Sequence, residues 1–238
     1  MSSLARNFSL IALLLITAGA LWAFGKAWLA DHPEHDPAAP FTLTQRDGWA
    51  TDRKLTALRS DPAVCRAVLV RSGVSFTKLN PIGEGTCRRA DRMTLDDGLP
   101  LRPRGADATC AVKAGTVRWL QQRVQPVAIR ILGSRVTSLE HLGTGSCRRI
   151  GGGETGTWSE HAMGNAIDIA AFRLADGRRI SVLDDWSGQD RERRAFLRAA
   201  HAAACRDFGT VLGPEYNTAH RDHFHLDQAL RGWGTFCR

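Results

Sequence analysis

Two short segments of the chain concentrate the side chains that bind metals and transfer protons in proteins. The first, residues 159–168, reads SEHAMGNAID, and the second, residues 220–227, reads HRDHFHLD. The second segment holds three of the eight histidines in the chain. Because neutral imidazoles and carboxylates are ligands that Zn²⁺ takes, the two segments together predict a zinc site.

The second segment is typical of a β-strand, since apolar residues alternate with polar ones near its end. Side chains alternate between the faces of a strand, so His223, His225 and Asp227 would share one face. Phe224 and Leu226 would then face the core. The two imidazoles would lie roughly 6 to 7 Å apart, which lets one histidine bind a metal while the other acts on a substrate.

The first segment places a histidine in a turn and an aspartate in a strand. Asp168 lies between two isoleucines, and His161 precedes Gly164, where the chain can turn. A carboxylate in an apolar strand is costly unless a cation pairs with it. Taken singly, each residue is more often a hydrogen-bonded core residue, a cap or a partner of arginine than a ligand. Taken together, His161, Asp168 and His225 give three ligands and one open position, as in catalytic zinc sites.

The pattern Ser-x-His-x-x-Gly-x-Ala-x-Asp, followed by His-x-His, resembles the LAS zinc peptidases. This group contains D-Ala-D-Ala carboxypeptidases and penicillin-insensitive murein endopeptidases. The chain resembles more closely the bacterial extensin-like C-terminal family within that group, over about residues 40–238. Outside the two segments the resemblance rests on a few residues, which are Trp119, residues 146–148, Trp186, residues 211–214, Tyr216 and Asn217.

The resemblance also implies roles for individual residues. It implies zinc held by His161, Asp168 and His225, a catalytic base at His223, a helper histidine at His220 and a substrate-facing arginine at Arg148. The carboxypeptidases place a glutamate before the last ligand, whereas this chain has His220 and His223 there. The departure favours an endopeptidase-like activity over a D-Ala-D-Ala carboxypeptidase.

The resemblance, together with these residues, implies a zinc-dependent hydrolase that cleaves amide bonds in peptidoglycan stem peptides or cross-links. Zinc would polarise the scissile carbonyl, and His223 would act as the general base. Arg148, together with His220, would stabilise the oxyanion or a substrate carboxylate. The alternative is a non-catalytic wall-binding module that retains the metal for structure. A fourth protein ligand would favour that alternative, because structural zinc sites are closed.

The charge of the chain does not indicate a nucleic-acid partner. Lys and Arg total 32 against 24 Asp and Glu, a formal net charge of +8. Residues 140–238 hold 13 basic and 13 acidic side chains, so the whole excess lies in the remaining 19 and 11. The sequence also contains no aromatic-rich basic motif of an RNA-binding module. We therefore expect peptidoglycan, and no nucleic acid, as the partner.

The N-terminal residues predict export from the cytoplasm. Arg6 precedes an uncharged run of 19 residues, 7–25, which Lys26 ends. Residues 18–20, Ala-Gly-Ala, offer a small-x-small cleavage site, so the segment is either a signal peptide or a membrane anchor. The length of the run is within the range that crosses a bilayer and favours an uncleaved anchor. We expect the protein in the periplasm, anchored to the inner membrane.

The expected organisation has three parts. Residues 1–30 form the signal or anchor, and residues 31–45 form a linker, since they include three prolines and show no periodicity. Residues 46–238 form the zinc peptidase domain.

Six cysteines without a Cys-x-x-Cys pair predict disulfides in an exported chain. Six cysteines allow 15 pairings, and the sequence does not choose among them. The pairing we favour joins neighbours in sequence, which are Cys65 with Cys87, Cys110 with Cys147 and Cys205 with Cys237.

The remaining patterns predict the elements that position the site. We expect helices from Pro62 to Gly73, from about 111 to 124 before Pro126, and from about 191 to 208 before Gly209. We expect strands over residues 135–142, 167–172 and 180–183, the last two joined by an Asp-Gly turn. The predicted fold class is therefore α+β, with helices flanking a small antiparallel sheet that carries the zinc site.

Overall fold

The computed structural model describes residues 3–96, 100–231 and 234–238. It divides the chain into two compact units: one comprises the chain up to residue 41 together with residues 45–54, and the other comprises residues 42–44 and the chain from residue 55 onward.

The first unit contains the long apolar helix α1 (Ser3–Asp31). Its residues 7–31 are long and apolar enough to cross a membrane, and the most apolar part of them is not buried. Near the end of α1, aromatic and histidine rings stack on one another. The ring of Trp28 lies 4.3 Å from that of His32 and 5.4 Å from that of Trp49. Length and composition of this kind are typical of a signal sequence or a membrane anchor.

After α1 the chain forms shorter helices and strands. The helices are α2 (Thr51–Ser60), α3 (Pro62–Arg71), α4 (Cys110–Trp119), α5 (Gln125–Leu132), α6 (Val182–Asp185) and α7 (Arg191–Ala204). The strands are β1 (Phe76–Leu79), β2 (Arg92–Leu95), β3 (Leu101–Arg102), β4 (Val136–Gly143), β5 (Ala166–Leu174), β6 (Arg179–Ser181), β7 (Thr210–Leu212), β8 (Phe224–Asp227) and β9 (Phe236–Cys237).

A seven-stranded sheet forms the centre of the second unit. Its strand order is β3-β4-β5-β8-β7-β9, with β6 also paired to β5. The β3–β4 and β7–β9 pairs are parallel, and the other pairs are antiparallel. Strands β1 and β2 form a separate two-stranded sheet. The predicted α+β class is confirmed, but the expectation of a small antiparallel sheet is wrong. Two-residue edge strands add the parallel pairs, and such short strands leave no alternating pattern in the sequence.

Aromatic side chains from helices and strands fill the core. Trp119, Phe172, Phe196 and Phe208 are fully buried, and the ring of Phe172 lies 5.0 Å from that of Phe196. The indole Nε1 of Trp119 donates a hydrogen bond to the carbonyl of Ala200 at 2.9 Å, so its one polar atom is satisfied. This contact ties α4 to α7 behind the sheet.

The helix expected to stop near Pro126 continues beyond it. A wide turn over Leu120–Val124 joins α4 to α5, and Pro126 lies in the first turn of α5. Proline needs no amide hydrogen at that position, so it starts this helical segment instead of ending the previous one. Gly133 then ends α5 with a φ of 66°.

Two other predicted boundaries differ from the structure. Helix α7 ends at Ala204, four residues before the expected end at 208, and the amides of Asp207 and Phe208 both donate to the Ala204 carbonyl in a turn after it. The strand expected over 180–183 is shorter, because the Ser181 hydroxyl caps α6 by accepting the Asp184 amide.

Three disulfides join the six cysteines. They link Cys65 to Cys110, Cys87 to Cys147 and Cys205 to Cys237. The expected Cys205–Cys237 pairing is confirmed, while Cys65–Cys87 and Cys110–Cys147 are wrong. Packing of α3 against the start of α4 brings the α-carbons of Cys65 and Cys110 to 6.0 Å, within disulfide range. Proximity in sequence does not predict this contact between helices.

Candidate metal centre

Neighbouring strands and one short turn bring the three predicted ligands together. Asp168 on β5 and His225 on β8 are direct partners in the antiparallel register. His161 lies in a helical turn, Glu160–Met163, which begins with a cap from the Ser159 hydroxyl. Gly164 ends this turn with a φ of 71°, a conformation that favours glycine. The turn carries His161 over the two strands.

The ligand atoms of the three side chains converge on one point. His161 Nε2 lies 3.1 Å from both Asp168 Oδ1 and His225 Nδ1. Asp168 Oδ1 and His225 Nδ1 are 3.0 Å apart. Ligands held about 2.0 to 2.1 Å from zinc in a tetrahedron are separated by about 3.3 to 3.4 Å. The measured separations are slightly shorter, and two imidazole nitrogens with one carboxylate oxygen are a donor set that could hold a metal ion.

The charges in this cluster are strongly coupled. Burial alone would raise the pKa of Asp168, but hydrogen bonds from His161 and His225 outweigh it and hold that pKa well below its usual range. Burial alone would lower the pKa of His225, but the carboxylates of Asp168 and Asp227 raise it to about 9. In the absence of a metal, His225 therefore keeps its proton at neutral pH, and this positive charge lies next to the Asp168 carboxylate.

Asp227 fixes the orientation of the His225 ring. Its Oδ2 lies 3.0 Å from His225 Nε2, and the carboxylate is buried. The ring donates its Nε2 hydrogen to this carboxylate, so Nδ1, which faces Asp168 and His161, is the atom that a metal would contact once the Nδ1 proton is displaced. The alternation of β8 predicts that Asp227 lies on the ligand face, but it does not predict this role.

Hydrogen bonds also hold the turn that carries His161. The side-chain amide Nδ2 of Asn165 donates to the Glu160 carboxylate at 2.6 Å. The Thr109 hydroxyl donates to Asn165 Oδ1 at 2.8 Å. Burial raises the pKa of Glu160. Glu160 and Asn165 both lie within the first segment, residues 159–168, but the spacing of that segment does not predict that they hold the turn in place.

His223 lies beside the three ligands without being one of them. Its Nε2 is 3.6 Å from Asp168 Oδ1, and its Nδ1 is 2.8 Å from Asp222 Oδ1. Nδ1 donates its hydrogen to Asp222, because a carboxylate only accepts, and Nε2 is then a lone-pair acceptor on the ligand side. The role of Asp222 was not predicted from the sequence, although this residue is adjacent to His223 in the chain.

His220 and Arg148 lie further from the ligand atoms. The ring centre of His220 is 5.2 Å from that of His223 and 5.8 Å from that of His225. Burial, with the charges of these two histidines, lowers the pKa of His220 to about 4. The charge of Arg148 also lowers it, although the arginine itself is exposed. The structure thus gathers five of the six predicted residues closely, with Arg148 at the rim.

Residues 63–238 match the family described as extensin-like protein C-terminus. The chain belongs to this family. The match includes both metal-site segments and all six cysteines, so the predicted membership in the extensin-like C-terminal family is confirmed. Comparisons with curated proteins and with solved structures give no match.

Proposed function

We propose that this extensin-like protein is an exported zinc-dependent hydrolase that cleaves amide bonds in peptidoglycan peptides, as an endopeptidase related to the LAS zinc peptidases. The observation that carries the proposal is the convergence of His161, Asp168 and His225 with the oriented imidazole of His223 beside them. A purely structural zinc site would be closed by a fourth ligand. An imidazole held at 3.6 Å from the ligand oxygen, with its own carboxylate partner, suits a proton acceptor instead.

The proposed cellular location rests on two features of the chain. The apolar residues 7–31 of α1 can anchor the protein to the inner membrane, or serve as its signal sequence. Three disulfides suit an oxidising compartment such as the periplasm. Peptidoglycan lies in that compartment, so stem peptides or cross-links are the proposed partners.

Zinc held by the three ligands would supply a Lewis acid that polarises the scissile carbonyl and lowers the pKa of water to about 7. The protein itself supplies the proton transfers. His223 Nε2 accepts the proton of the attacking water and returns it to the leaving amine, so that hydrolysis yields one carboxyl group and one amine. Asp222 stabilises the imidazolium that forms between the two transfers, because its carboxylate accepts from His223 Nδ1 at 2.8 Å.

We assign to Arg148 the role of binding negative charge on the substrate. His220 Nδ1 lies 2.7 Å from Asn217 Oδ1, which also accepts the Ala219 amide hydrogen and is therefore the carbonyl oxygen. His220 thus donates from Nδ1 and keeps a lone pair on Nε2. With a pKa of about 4 it is neutral at pH 7 and serves as a hydrogen-bond acceptor. Arg148 keeps its positive charge and suits an oxyanion or a carboxylate.

The test is digestion of purified peptidoglycan by the full chain in a non-ionic detergent, with products identified by mass spectrometry. We expect cleavage that a chelator abolishes and added zinc restores. His223→Ala should lower the rate by about 10² to 10⁴ while zinc content stays unchanged, since a general base contributes this much. His35→Ala, in the first unit, is the matched control and should cleave as the wild type does.

Two outcomes would contradict the proposal. Wild-type turnover by His223→Ala would remove His223 from the mechanism and make His220 the candidate base. A zinc-loaded wild type that sediments with intact sacculi but cleaves no bond in them would favour the wall-binding alternative.

A further inference from the structure

A polar groove lies close to the candidate metal centre along strand β5. It has a volume of about 400 Å³ and is formed by β3, β4, β5, β6 and the start of the β3–α4 loop. Asp168 and the groove residue Ala170 are two positions apart on β5, at a separation of about 7 Å, in a stretch where the pairing of β4 with β5 shifts register. The charge of Asp168 also acts on the ring of His141, another groove residue. The groove therefore runs along β5 away from the metal centre.

Two arginines of the groove face each other across neighbouring strands. Arg173 on β5 and Arg179 on β6 are direct partners in the register, an arrangement that is destabilising for like charges. Both guanidinium groups bind the carboxylate of Glu140, and the Arg179 contact measures 2.8 Å. Asp184, at 4.0 Å from Arg179 and mostly exposed, is a weak outer partner. The single carboxylate of Glu140 thus pairs with both guanidinium groups.

A third guanidinium belongs to Arg102, which binds a neutral group. Its Nε donates to the Ser138 hydroxyl at 3.1 Å, and no carboxylate within the described parts of the chain pairs with it. Among the residues that line the groove, three guanidinium groups stand against the single carboxylate of Glu140, an excess of two positive charges before the exposed Asp184 beside Arg179 is counted. The side chains of Arg173 and Arg179 are 47% and 40% exposed, so a ligand can reach them.

We propose that this groove is a subsite for carboxylate groups, and that the substrate is an acidic peptide whose carboxylates lie to one side of the scissile amide. Planar guanidinium groups bind carboxylates through paired hydrogen bonds, which a neutral peptide cannot provide. A volume of about 400 Å³ is within the range of small-molecule sites and holds a few residues of a peptide. The inference rests on the proposed function for the identity of the substrate, but the binding that it predicts needs no turnover.

The experiment measures peptide binding by calorimetry with the full zinc-loaded chain in a non-ionic detergent, using His223→Ala to prevent cleavage. The probes are a peptidoglycan stem pentapeptide with free carboxylates and the same peptide with every carboxyl group amidated. We expect the acidic peptide to bind at least about tenfold more tightly, since hydrogen bonds between charged groups are worth this much. The difference should shrink as salt is added.

Two substitutions with opposite expected effects test the groove itself. Arg102→Gln should weaken binding of the acidic peptide by about tenfold and leave the amidated peptide unchanged. Glu140→Gln should strengthen binding of the acidic peptide, because it releases two guanidinium groups from their shared carboxylate. A role confined to folding would not produce a gain. Arg198→Gln, which removes an arginine paired with Glu215 outside the groove, is the control and should change neither affinity.

The outcomes separate this proposal from the hydrolase. Equal affinity for the two peptides, no binding of either, or an unchanged affinity in Arg102→Gln would overturn the carboxylate subsite, whether or not the wild type cleaves peptidoglycan. Preferential binding of the acidic peptide by a wild-type protein that cleaves nothing would support the subsite and reject the hydrolase.

Discussion

Within the described part of the second unit, the buried cluster around Asp207 and the buried cluster around Asp168 are satisfied in different ways. Asp207 is fully buried, and both Arg118 and Arg123 bind its carboxylate, Arg118 at 3.1 Å. This cluster provides its own cations. The cluster of His161, Asp168 and His225 is nearly as buried, yet its facing atoms are two imidazole nitrogens and a carboxylate oxygen. Such acceptors need a proton or a metal between them, which is the property of a ligand site.

The self-contained cluster should matter for folding and not for metal binding. Asp207→Asn leaves two guanidinium groups without their carboxylate, one of them fully buried. We expect the free energy of unfolding to fall by about 3 to 5 kcal/mol, the usual cost of breaking a buried ion pair. Denaturant unfolding with and without chelator measures this, and the loss should be equal in both conditions. A loss that vanishes on chelation would show that the two clusters are coupled.

Loss of the Asp227 contact that orients His225 should have a smaller effect, and it should change zinc affinity alone. Asp227→Asn keeps the shape of the partner but weakens its hold on the imidazole. We expect a loss of about 10- to 100-fold in zinc affinity, as is usual for such outer partners of metal-bound histidines. Competition with a zinc-binding dye measures the affinity. An unchanged affinity would mean that β8 alone positions His225.

The smallest expected effect is the change in zinc affinity with each unit of pH. With its pKa raised to about 9, His225 is protonated at pH 7.5 in the metal-free protein, and zinc must displace that proton. We expect about one proton released per zinc and an affinity that rises about tenfold per pH unit below pH 9. Calorimetry in buffers with different ionisation enthalpies counts the protons. The metal-free protein should lose stability as the pH rises from the ordinary histidine pKa of 6.5 to the folded-state pKa of about 9, because the folded state favours the protonated imidazole of His225.

The same contrast explains what could be predicted from the sequence. The three candidate ligands follow from local rules: alternation on β8, a carboxylate between isoleucines on β5, and a glycine that ends the His161 turn. The roles of Asp222 and Asp227 depend on which ring nitrogen each carboxylate meets, and spacing does not specify that. The Cys65–Cys110 bridge depends on the packing of α3 against α4. The continuation of the helix past Pro126 depends on the π-helical turn at Leu120–Val124, which interrupts the α-helical period.

The zinc content of the purified chain tests the metal centre most directly. Elemental analysis of the full protein in detergent should find about one zinc per chain in the wild type, in His223→Ala and in the His35→Ala control. His161→Ala and His225→Ala should each retain less than about a tenth of that amount, because each removes one of three ligands. Circular dichroism should show that the variants remain folded. Full zinc occupancy in both ligand variants would contradict the assignment of the metal centre.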